Sequence, residues 1–155
     1  MNTKEIVDKI APEYGLDPDL VMAFIQIESG GKNWACRYEP YWKYFKDVPI
    51  WAKALSQTED TEKTQQATSF GPMQVMGTVA RELGFKGYLT QLSITEVGIR
   101  CGCLKLQQLF KKYDKQDDVI SSYNQGNNRK SVSGKYMNQS YVDKINAALK
   151  SVKSN

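Results

Sequence analysis

The clearest helix signal in this chain is the stretch 17-DPDLVMAFIQIESGG-31. Asp17 is a favourable N-cap residue, and Pro18 suits the first helical position because the N–H that it lacks would have no partner there. Three apolar side chains then recur at helical spacing and mark the buried stripe, namely Leu20, Phe24 and Ile27. Two glycines close the stretch, as they do at many helix C-termini. We therefore predict a helix over 19–28 that carries Glu28 in its last turn.

Helical signals continue through the rest of the chain. The patterns 56-SQTE-59 and 93-SITE-96 have the spacing of capping boxes, and a final helix is predicted from Asn138 onward. The apolar side chains of that helix fall on one face: Tyr141, Ile145, Ala148 and Leu149. Alternation of apolar and polar residues, which marks a half-buried strand, is nowhere sustained. The sequence therefore predicts an all-α fold with short loops and no internal repeat.

Length and composition suit one globular domain. The 155 residues carry 21 Lys and Arg against 17 Asp and Glu, and 41% are apolar, which is enough to bury a core. No apolar run reaches the roughly 18–20 residues of a membrane-spanning helix. The polar N-terminus lacks the pattern of a secretory signal peptide. We expect a single domain over 1–155, made in the cytoplasm and either kept there or released by a route that needs no signal.

The absence of histidine excludes several classes of catalytic site. Ser-His-Asp and Cys-His catalysis, His-based zinc sites and an imidazole general base all need it. Of the three cysteines, Cys101 and Cys103 would point about 200° apart on one helix and could not bridge each other. A disulfide from Cys36 to either of them stays open, although reduced thiols are favoured. Acid–base chemistry must then come from Asp, Glu, Lys or Tyr.

The net charge of +4 suits an acidic partner such as nucleic acid, anionic lipid or the bacterial wall, without choosing among them. A small DNA-binding domain would place its cations on a recognition helix. The last helix carries only Lys144, Lys150 and Lys153 over three turns. The spacing of a phosphate-binding P-loop is also absent. We therefore expect no nucleic-acid partner.

In one aromatic-rich segment, 38–51, six of fourteen residues are aromatic: Tyr38, Tyr41, Trp42, Tyr44, Phe45 and Trp51. Aromatic rings interleaved with Lys43 and Lys46 are suited to stacking on sugars or bases. The alternative is that most of them pack a small subsidiary core. We favour the packing role, with one or two of the six at a ligand.

Glu28 is the strongest candidate for chemistry. A carboxylate beside an apolar stripe is partly desolvated, holds its proton more tightly and can act as a general acid. Two other segments combine chemically useful side chains with glycine: 71-GPMQ-74 and 122-SYNQG-126. Taken alone, Met73 is explained as a core residue and Asn124 as a helix cap.

Five segments of the chain resemble the motifs of soluble lytic transglycosylases, a family with the goose-type lysozyme fold. Three are similar to its ES, GLMQ and AYNxG motifs: Glu28-Ser29, 71-GPMQ-74 and 123-YNQG-126. Two more are similar to the helix after the second motif and to the closing T-x-x-Y-V segment: 79-VARELG-84 and 138-NQSYV-142. The resemblance covers about 16–145, which is nearly the whole chain.

Three departures from the family pattern are visible. Pro72 stands where Leu is usual and Ser122 where Ala is usual, and both changes are mild. An inserted arm, about 38–66, lies between the first two motifs and carries the aromatic segment. At its start, 37-RYEP-40 resembles a phage-associated branch of the family. The resemblance therefore implies a lysozyme-like helical domain with an inserted arm, phage-encoded or virion-associated.

The resemblance implies an enzyme that cleaves the β-1,4 bond between N-acetylmuramic acid and N-acetylglucosamine in peptidoglycan. Glu28 would donate a proton to the leaving oxygen. It would then act as base toward the muramic acid 6-hydroxyl, which closes a 1,6-anhydro ring. Most glycosidases need a second carboxylate, and none of the matched motif cores, Glu28-Ser29, 71–74 and 123–126, offers one. The implied partner is the glycan strand of the wall in the periplasm, and we expect a monomer with no cofactor, no metal and no membrane insertion.

The same resemblance implies roles for the other motif residues. Tyr123 would hydrogen-bond and orient the catalytic carboxylate. Gln74 and Asn124 would supply amides to the acetamido and hydroxyl groups of the sugars. Met73 and Tyr141 would line the cleft with apolar surface.

Two residues leave alternatives open. Ser29 matches its motif but is expected to serve structure more than substrate. Glu39 is the spare carboxylate expected closest to the cleft, and if it holds a water opposite Glu28, the protein would be a lysozyme-type hydrolase on the same fold. A third hypothesis is a non-catalytic module of a virion or secretion system that only docks on the wall, although the intact motif residues argue against it.

Overall fold

The computed structural model describes residues 1–155, most of which are helical. Eight α-helices follow one another: α1 Thr3–Ile10, α2 Pro18–Ser29, α3 Val48–Ala54, α4 Glu59–Gln66, α5 Gly77–Glu82, α6 Thr95–Lys112, α7 Gln116–Gln125 and α8 Gln139–Lys153. There are three short strands, β1 Cys36–Tyr38, β2 Thr68–Phe70 and β3 Val75–Met76, and two 3₁₀ turns, Ala11–Tyr14 and Leu89–Ser93. The predicted helical fold class is confirmed, with a small sheet that the sequence pattern did not predict.

The chain divides into two compact units. The first unit comprises 1–27 and 103–155, and it is helical apart from one β-bridge between Lys130 and Tyr136. Its core consists of fully buried apolar side chains: Val7, Ile10, Val21, Phe24, Leu106, Val119, Ile120, Val142 and Ile145. Helices α7 and α8 pack against each other in this unit.

The second unit comprises 28–102 and contains the sheet. The strands are antiparallel in the order β1–β2–β3, with Phe70 of β2 opposite Cys36 on one side and Val75 on the other. The tight turn 71–74 joins β2 to β3. Gly71 in this turn has a φ of +79°, and a Cβ at this position would overlap the carbonyl group of Leu92. The turn therefore requires glycine.

A buried ion pair connects α4 to α5 in the second unit. Arg81 donates from Nε and Nη2 to the two carboxylate oxygens of Glu62 at 2.7 and 3.0 Å, and neither side chain is exposed. Gln66 and Gln57 donate to the same carboxylate at 2.9 and 2.7 Å. The amide of Gln66 also donates to the carbonyl and accepts from the N–H of Lys46, both at 2.7 Å. This buried polar network thus joins the two ends of the inserted arm and, through Arg81, connects the arm to α5.

The aromatic side chains of the arm fall into two groups. Three are half-buried, namely Trp42, Phe45 and Trp51, and three are exposed, namely Tyr38, Tyr41 and Tyr44. The indole N–H of Trp42 donates to the Tyr44 carbonyl at 2.8 Å and to the Thr78 hydroxyl at 3.0 Å. The guanidinium carbon of Arg81 lies 4.4 Å from the centre of the Trp51 ring. Both tryptophans thus have packing partners, and the most exposed rings are tyrosines.

The helix predicted over 19–28 is confirmed as α2. Asp17 caps it by accepting from the N–H of Asp19 at 2.9 Å. Leu20 and Phe24 are buried as expected, whereas Ile27 is half-buried. In α8, Ile145 and Ala148 are buried, whereas Tyr141 and Leu149 are half-buried.

The two predicted capping boxes are wrong in their cap residues. The N-cap of α4 is Thr58, whose hydroxyl accepts from the N–H of Thr61 at 3.1 Å. Ser56 lies before the helix with a φ of +52°, so its hydroxyl is not the cap. Ser93 ends a 3₁₀ turn, and α6 begins only at Thr95. For α4, a residue closer to the helix is the cap, and for α6 the predicted cap residue belongs to a preceding 3₁₀ turn.

The three cysteines form no disulfide bond. Cys36 is exposed in β1, whereas Cys101 and Cys103 are buried in α6.

Candidate active site

Glu28 lies in the last turn of α2 and is half-buried. It follows Phe24 by one helical turn, so the two side chains share a face of the helix. The next residue, Ser29, ends α2, and its hydroxyl donates to the Pro72 carbonyl at 2.8 Å. This hydrogen bond connects the end of α2 to the turn 71–74. It therefore joins the first two sequence motifs, Glu28-Ser29 and 71-GPMQ-74.

The turn 71–74 packs against the first part of α6. Met73 is fully buried, and a Cβ added at Gly102 would overlap its sulfur. A Cβ at Gly98, one turn earlier, would lie 2.7 Å from the Cδ of Pro72. Two glycines one turn apart thus let the turn approach the helix closely. Met73, which was expected to line a cleft, is packed inside this contact.

The side-chain amide of Gln74 is engaged with the backbone. Its Nε2 donates to the carbonyls of Ala35 and Gly71 at 2.8 and 2.9 Å. The N–H of Gly71 donates to the same Ala35 carbonyl at 2.9 Å. Because Nε2 carries two hydrogens, both are used. Gln74 therefore fixes the turn to the residue before β1, and only its Oε1 remains to accept a hydrogen bond from a ligand.

Glu39 follows β1 and is half-buried. Its Oε1 accepts from the Nε of Arg37 at 2.9 Å, and its backbone N–H donates to the Ala67 carbonyl at 2.8 Å. The Arg37 side chain is 77% exposed, so this is a surface ion pair of small energetic value.

In the first unit, Tyr123 lies near the end of α7 and is only 3% exposed. Its ring centre is 4.6 Å from that of Phe24. The ammonium of Lys105, on α6, lies 3.8 Å from the centre of the same ring and donates to the Tyr123 carbonyl at 2.7 Å. The Tyr123 ring thus contacts both an aromatic ring and a cation.

Asn124 comes next and is exposed. Its Oδ1 accepts from the Nδ2 of Asn138, the N-cap residue of α8, at 3.0 Å. Tyr141 lies in the first turn of α8 and is half-buried, with its N–H on the Asn138 carbonyl at 2.9 Å. The last two motifs are therefore connected through Asn138.

Comparison with protein families decides the identity. The family model described as Transglycosylase SLT domain matches residues 5–146. This chain belongs to the transglycosylase SLT family. Searches of curated proteins and of solved structures gave no match.

Membership gives this SLT domain the all-α, lysozyme-like fold of its family and a lytic transglycosylase-type activity on peptidoglycan. Peptidoglycan is accordingly its substrate. None of its helices combines the length and the apolar composition that a membrane crossing requires. No cluster of three or more Cys, Asp or Glu side chains is arranged as a metal site.

Sequence reasoning missed two residues that hold the motif side chains of the SLT domain. Lys105 sits in the middle of α6, and no pattern distinguishes it from a solvated lysine. Asn138 was placed in the closing segment, but only as the start of a helix. An amide at an N-cap is usually explained by capping, whereas this side chain makes no capping bond to α8.

Proposed function

We propose that this SLT domain cleaves the β-1,4 bond between N-acetylmuramic acid and N-acetylglucosamine and forms 1,6-anhydromuramic acid. Glu28 is the acid that protonates the leaving oxygen and then the base that accepts the 6-hydroxyl proton. The observation that carries the proposal is the bond from Ser29 to Pro72, because it holds the Glu-Ser motif and the turn 71–74 together.

The position of Glu28 suits a group that donates and then retrieves one proton. The carboxylate ends a helix whose preceding turn buries Phe24 and Ile25, and it is itself half-buried. Its remaining exposure leaves the group open to a substrate. A single positioned acid–base group typically contributes ~10²–10⁴-fold to a rate.

The lack of a second acid in the motif cores supports a single-acid mechanism. A retaining glycosidase needs a nucleophilic carboxylate at ~5–5.5 Å, and an inverting one needs a base at ~6.5–9.5 Å that holds a water. Glu39, the candidate for either role, has one oxygen on the guanidinium of Arg37. That ion pair lies at the surface, and none of the matched motif cores offers a second carboxylate. The motif sequences therefore favour the intramolecular route over the lysozyme-type hydrolase.

Tyr123 is the residue that we propose to orient the carboxylate of Glu28. Its ring packs on Phe24, which precedes Glu28 by one turn on the same face of α2. The ammonium of Lys105 also lies against this ring, 3.8 Å from its centre. A phenol held this firmly can direct its hydroxyl with little loss of side-chain entropy.

The remaining motif residues are proposed to bind the sugars. Asn124 is exposed and presents an amide, Tyr141 presents a half-buried ring, and Gln74 presents Oε1. Met73 and Ser29 act by shaping the turn 71–74. We further propose that the enzyme works as a monomer on glycan strands in the periplasm, delivered by a phage or a virion.

The experiment compares Glu28→Gln with the wild type on purified sacculi, with mass spectrometry of the released muropeptides. The amide has the same shape but cannot transfer the proton, so we expect release to fall by at least ~10²-fold at an unchanged melting temperature. Glu82→Gln, the same change at an exposed glutamate of α5, is the control and should leave release unchanged. Release by Glu28→Gln at the wild-type rate would overturn the assignment of Glu28.

A further inference from the structure

Four polar side chains form a hydrogen-bonded cluster between the end of α7 and the start of α8. Asn138 donates from Nδ2 to the Ser121 carbonyl and to the Oδ1 of Asn124, both at 3.0 Å. The Ser121 hydroxyl donates to the Oδ1 of Asn138 at 2.7 Å and accepts from Gln125 at 3.0 Å. Ser121 is fully buried, Asn138 is half-buried and Asn124 is exposed. The cluster thus runs from the core to the surface.

The cluster determines which way the Asn124 amide faces. A backbone carbonyl can only accept, so the nitrogen of Asn138 must face Ser121. The second hydrogen of that nitrogen points to Asn124, which must therefore turn its oxygen toward Asn138. The Nδ2 of Asn124, with its two hydrogens, is then the end of the amide that remains for a ligand. An exposed Asn would otherwise be able to present either end.

A fixed donor discriminates between the polar groups of a sugar. A hydroxyl both donates and accepts, so it can bind either end of an amide. The carbonyl of an acetamido group only accepts, and its N–H only donates. A substrate-facing N–H therefore selects the acetamido carbonyl and rejects the acetamido N–H.

We propose that Asn138 is a positioning residue that presents Asn124 as a hydrogen-bond donor to the acetamido carbonyl of an N-acetylated sugar. The inference rests on the proposed function, since it places Asn124 at the glycan strand. Capping does not explain the Asn138 side chain, because α8 begins without a side-chain cap.

The test is a double-mutant cycle on soluble, uncrosslinked glycan strands. The variants are Asn138→Ala, Asn124→Ala and the double substitution, each assayed for kcat and KM well below its melting temperature. Loss of one substrate hydrogen bond should raise KM about five- to tenfold in each single variant, with a smaller effect on kcat. Because Asn138 acts through Asn124, the double variant should be no worse than Asn124→Ala.

Asn146→Ala is the matched control. Asn146 also lies on α8 and donates to Asp117 of α7 at 2.9 Å, so its removal loosens the same pair of helices. It should lower the melting temperature and leave KM unchanged. A rise in KM equal to that of Asn138→Ala would show that helix packing, and not the orientation of an amide, is responsible.

Asn138→Asp keeps the size of the side chain and an acceptor for the Ser121 hydroxyl. Its carboxylate would accept from the Nδ2 of Asn124, so the Asn124 amide should turn its oxygen to the substrate. We expect KM to rise at least as far as in Asn138→Ala. A wild-type KM in Asn138→Asp, or additive effects in the cycle, would overturn this inference while leaving the cleavage activity in place. If the wild type neither binds nor cleaves the strands, the proposed function itself fails.

Discussion

A single carboxylate can serve as acid and then as base only if it stays in place through both proton transfers. In this chain the carboxylate follows a buried turn of α2, and the next residue is bonded to Pro72. The group proposed to orient it, Tyr123, has a ring in contact with Phe24 and with the ammonium of Lys105. At the residue scale, the proposed mechanism thus depends on the hydroxyl of a buried tyrosine whose ring has packing partners.

Tyr123→Phe tests that hydroxyl. The substitution keeps the ring on Phe24, so we expect the melting temperature to change little. Loss of a hydrogen bond to a charged group is worth ~1.5–3 kcal/mol, so turnover on glycan strands should fall about tenfold or more. The measurements are kcat and thermal unfolding.

Tyr136→Phe is the matched control for Tyr123→Phe. The Tyr136 hydroxyl donates to Asp118 at 2.7 Å, and burial together with this carboxylate raises the pKa of the phenol. Its removal should cost ~1.5–3 kcal/mol of stability and leave turnover unchanged. If Tyr123→Phe behaves like this control, Tyr123 is only a packed core residue.

The sequence predicts which residues belong to the candidate site, but it does not predict which of their atoms form hydrogen bonds within the protein. Gln74 follows from its motif, but the motif does not reveal that both hydrogens of Nε2 are bonded to Ala35 and Gly71. Those partners lie 39 and 3 positions away, and only the folded turn brings the distant one close. The role of Asn138 toward Asn124 was hidden for the same reason.

At the scale of elements, the inserted arm is held by side chains that its aromatic composition does not reveal. Its backbone at Lys46 is bonded to Gln66, and its Trp51 lies on Arg81. The buried ion pair between Glu62, near the end of the arm, and Arg81 of α5 thus attaches the arm to the rest of the second unit. We expect the arm to behave as a rigid part of the second unit.

Alanine substitutions in the arm separate packing from sugar stacking. Trp42→Ala and Trp51→Ala remove half-buried rings with hydrogen-bond or cation partners, so each should cost up to about 3 kcal/mol of unfolding free energy. Tyr41→Ala removes a ring that is 94% exposed and should change stability by no more than about 0.5 kcal/mol. Denaturant unfolding and KM on glycan strands are the measurements. A raised KM at unchanged stability for either tryptophan would assign it to the substrate instead.

The Glu62–Arg81 pair predicts acid sensitivity. Burial alone would raise the pKa of Glu62, but hydrogen bonds from Arg81, Gln66 and Gln57 outweigh it and lower the pKa below its usual value. A carboxyl with a lowered folded-state pKa stabilises the protein above its unfolded pKa of ~4.3, and this contribution is lost as pH falls through the folded pKa. Stability should therefore decrease on acidification below about pH 4.

Glu62→Gln isolates this contribution. The variant leaves the buried Arg81 without its ion partner and should lose about 3–5 kcal/mol at neutral pH. Because the amide does not titrate, the difference in unfolding free energy between wild type and variant should shrink as pH falls. Thermal unfolding between pH 3 and 7 measures it, and a difference that is constant across this range would contradict the assignment.

Helices and strands were predictable where the pattern that determines them lies within their own sequence, and less so where they depend on distant residues. The cap and the spacing of α2 lie within its own sequence, and the helix was predicted to within a residue. The strands have two or three residues each, so alternation cannot show, and their pairing depends on β1 meeting β2 across the whole arm. The predicted cap of α4 was Ser56, whereas the observed cap is Thr58. Both residues carry a hydroxyl group that suits an N-cap, so the sequence alone did not distinguish them.

At the scale of the whole molecule, the motif residues are distributed over both units. Glu28 and the turn 71–74 belong to the second unit, whereas Tyr123 and Tyr141 belong to the first. The family match runs through both, from residue 5 to residue 146. Activity should therefore require the chain from end to end of this match, and the single-domain organisation over 1–155 remains a prediction.

The last prediction concerns the fate of the glycan after the bond breaks. The muramic acid 6-hydroxyl is tethered to the reacting ring, and a well-oriented intramolecular group reaches effective molarities of ~10⁵–10⁸ M against water. None of the matched motif cores offers a second carboxylate that could activate a water. We expect 1,6-anhydro muropeptides, lighter by one water than hydrolysis products and unreactive toward reducing-end reagents. Digestion in oxygen-18 water should leave them unlabelled. Reducing-end muramic acid carrying the label would instead indicate hydrolysis, and Glu39→Gln would then show whether Glu39 is the base, since only in that case would it abolish labelling.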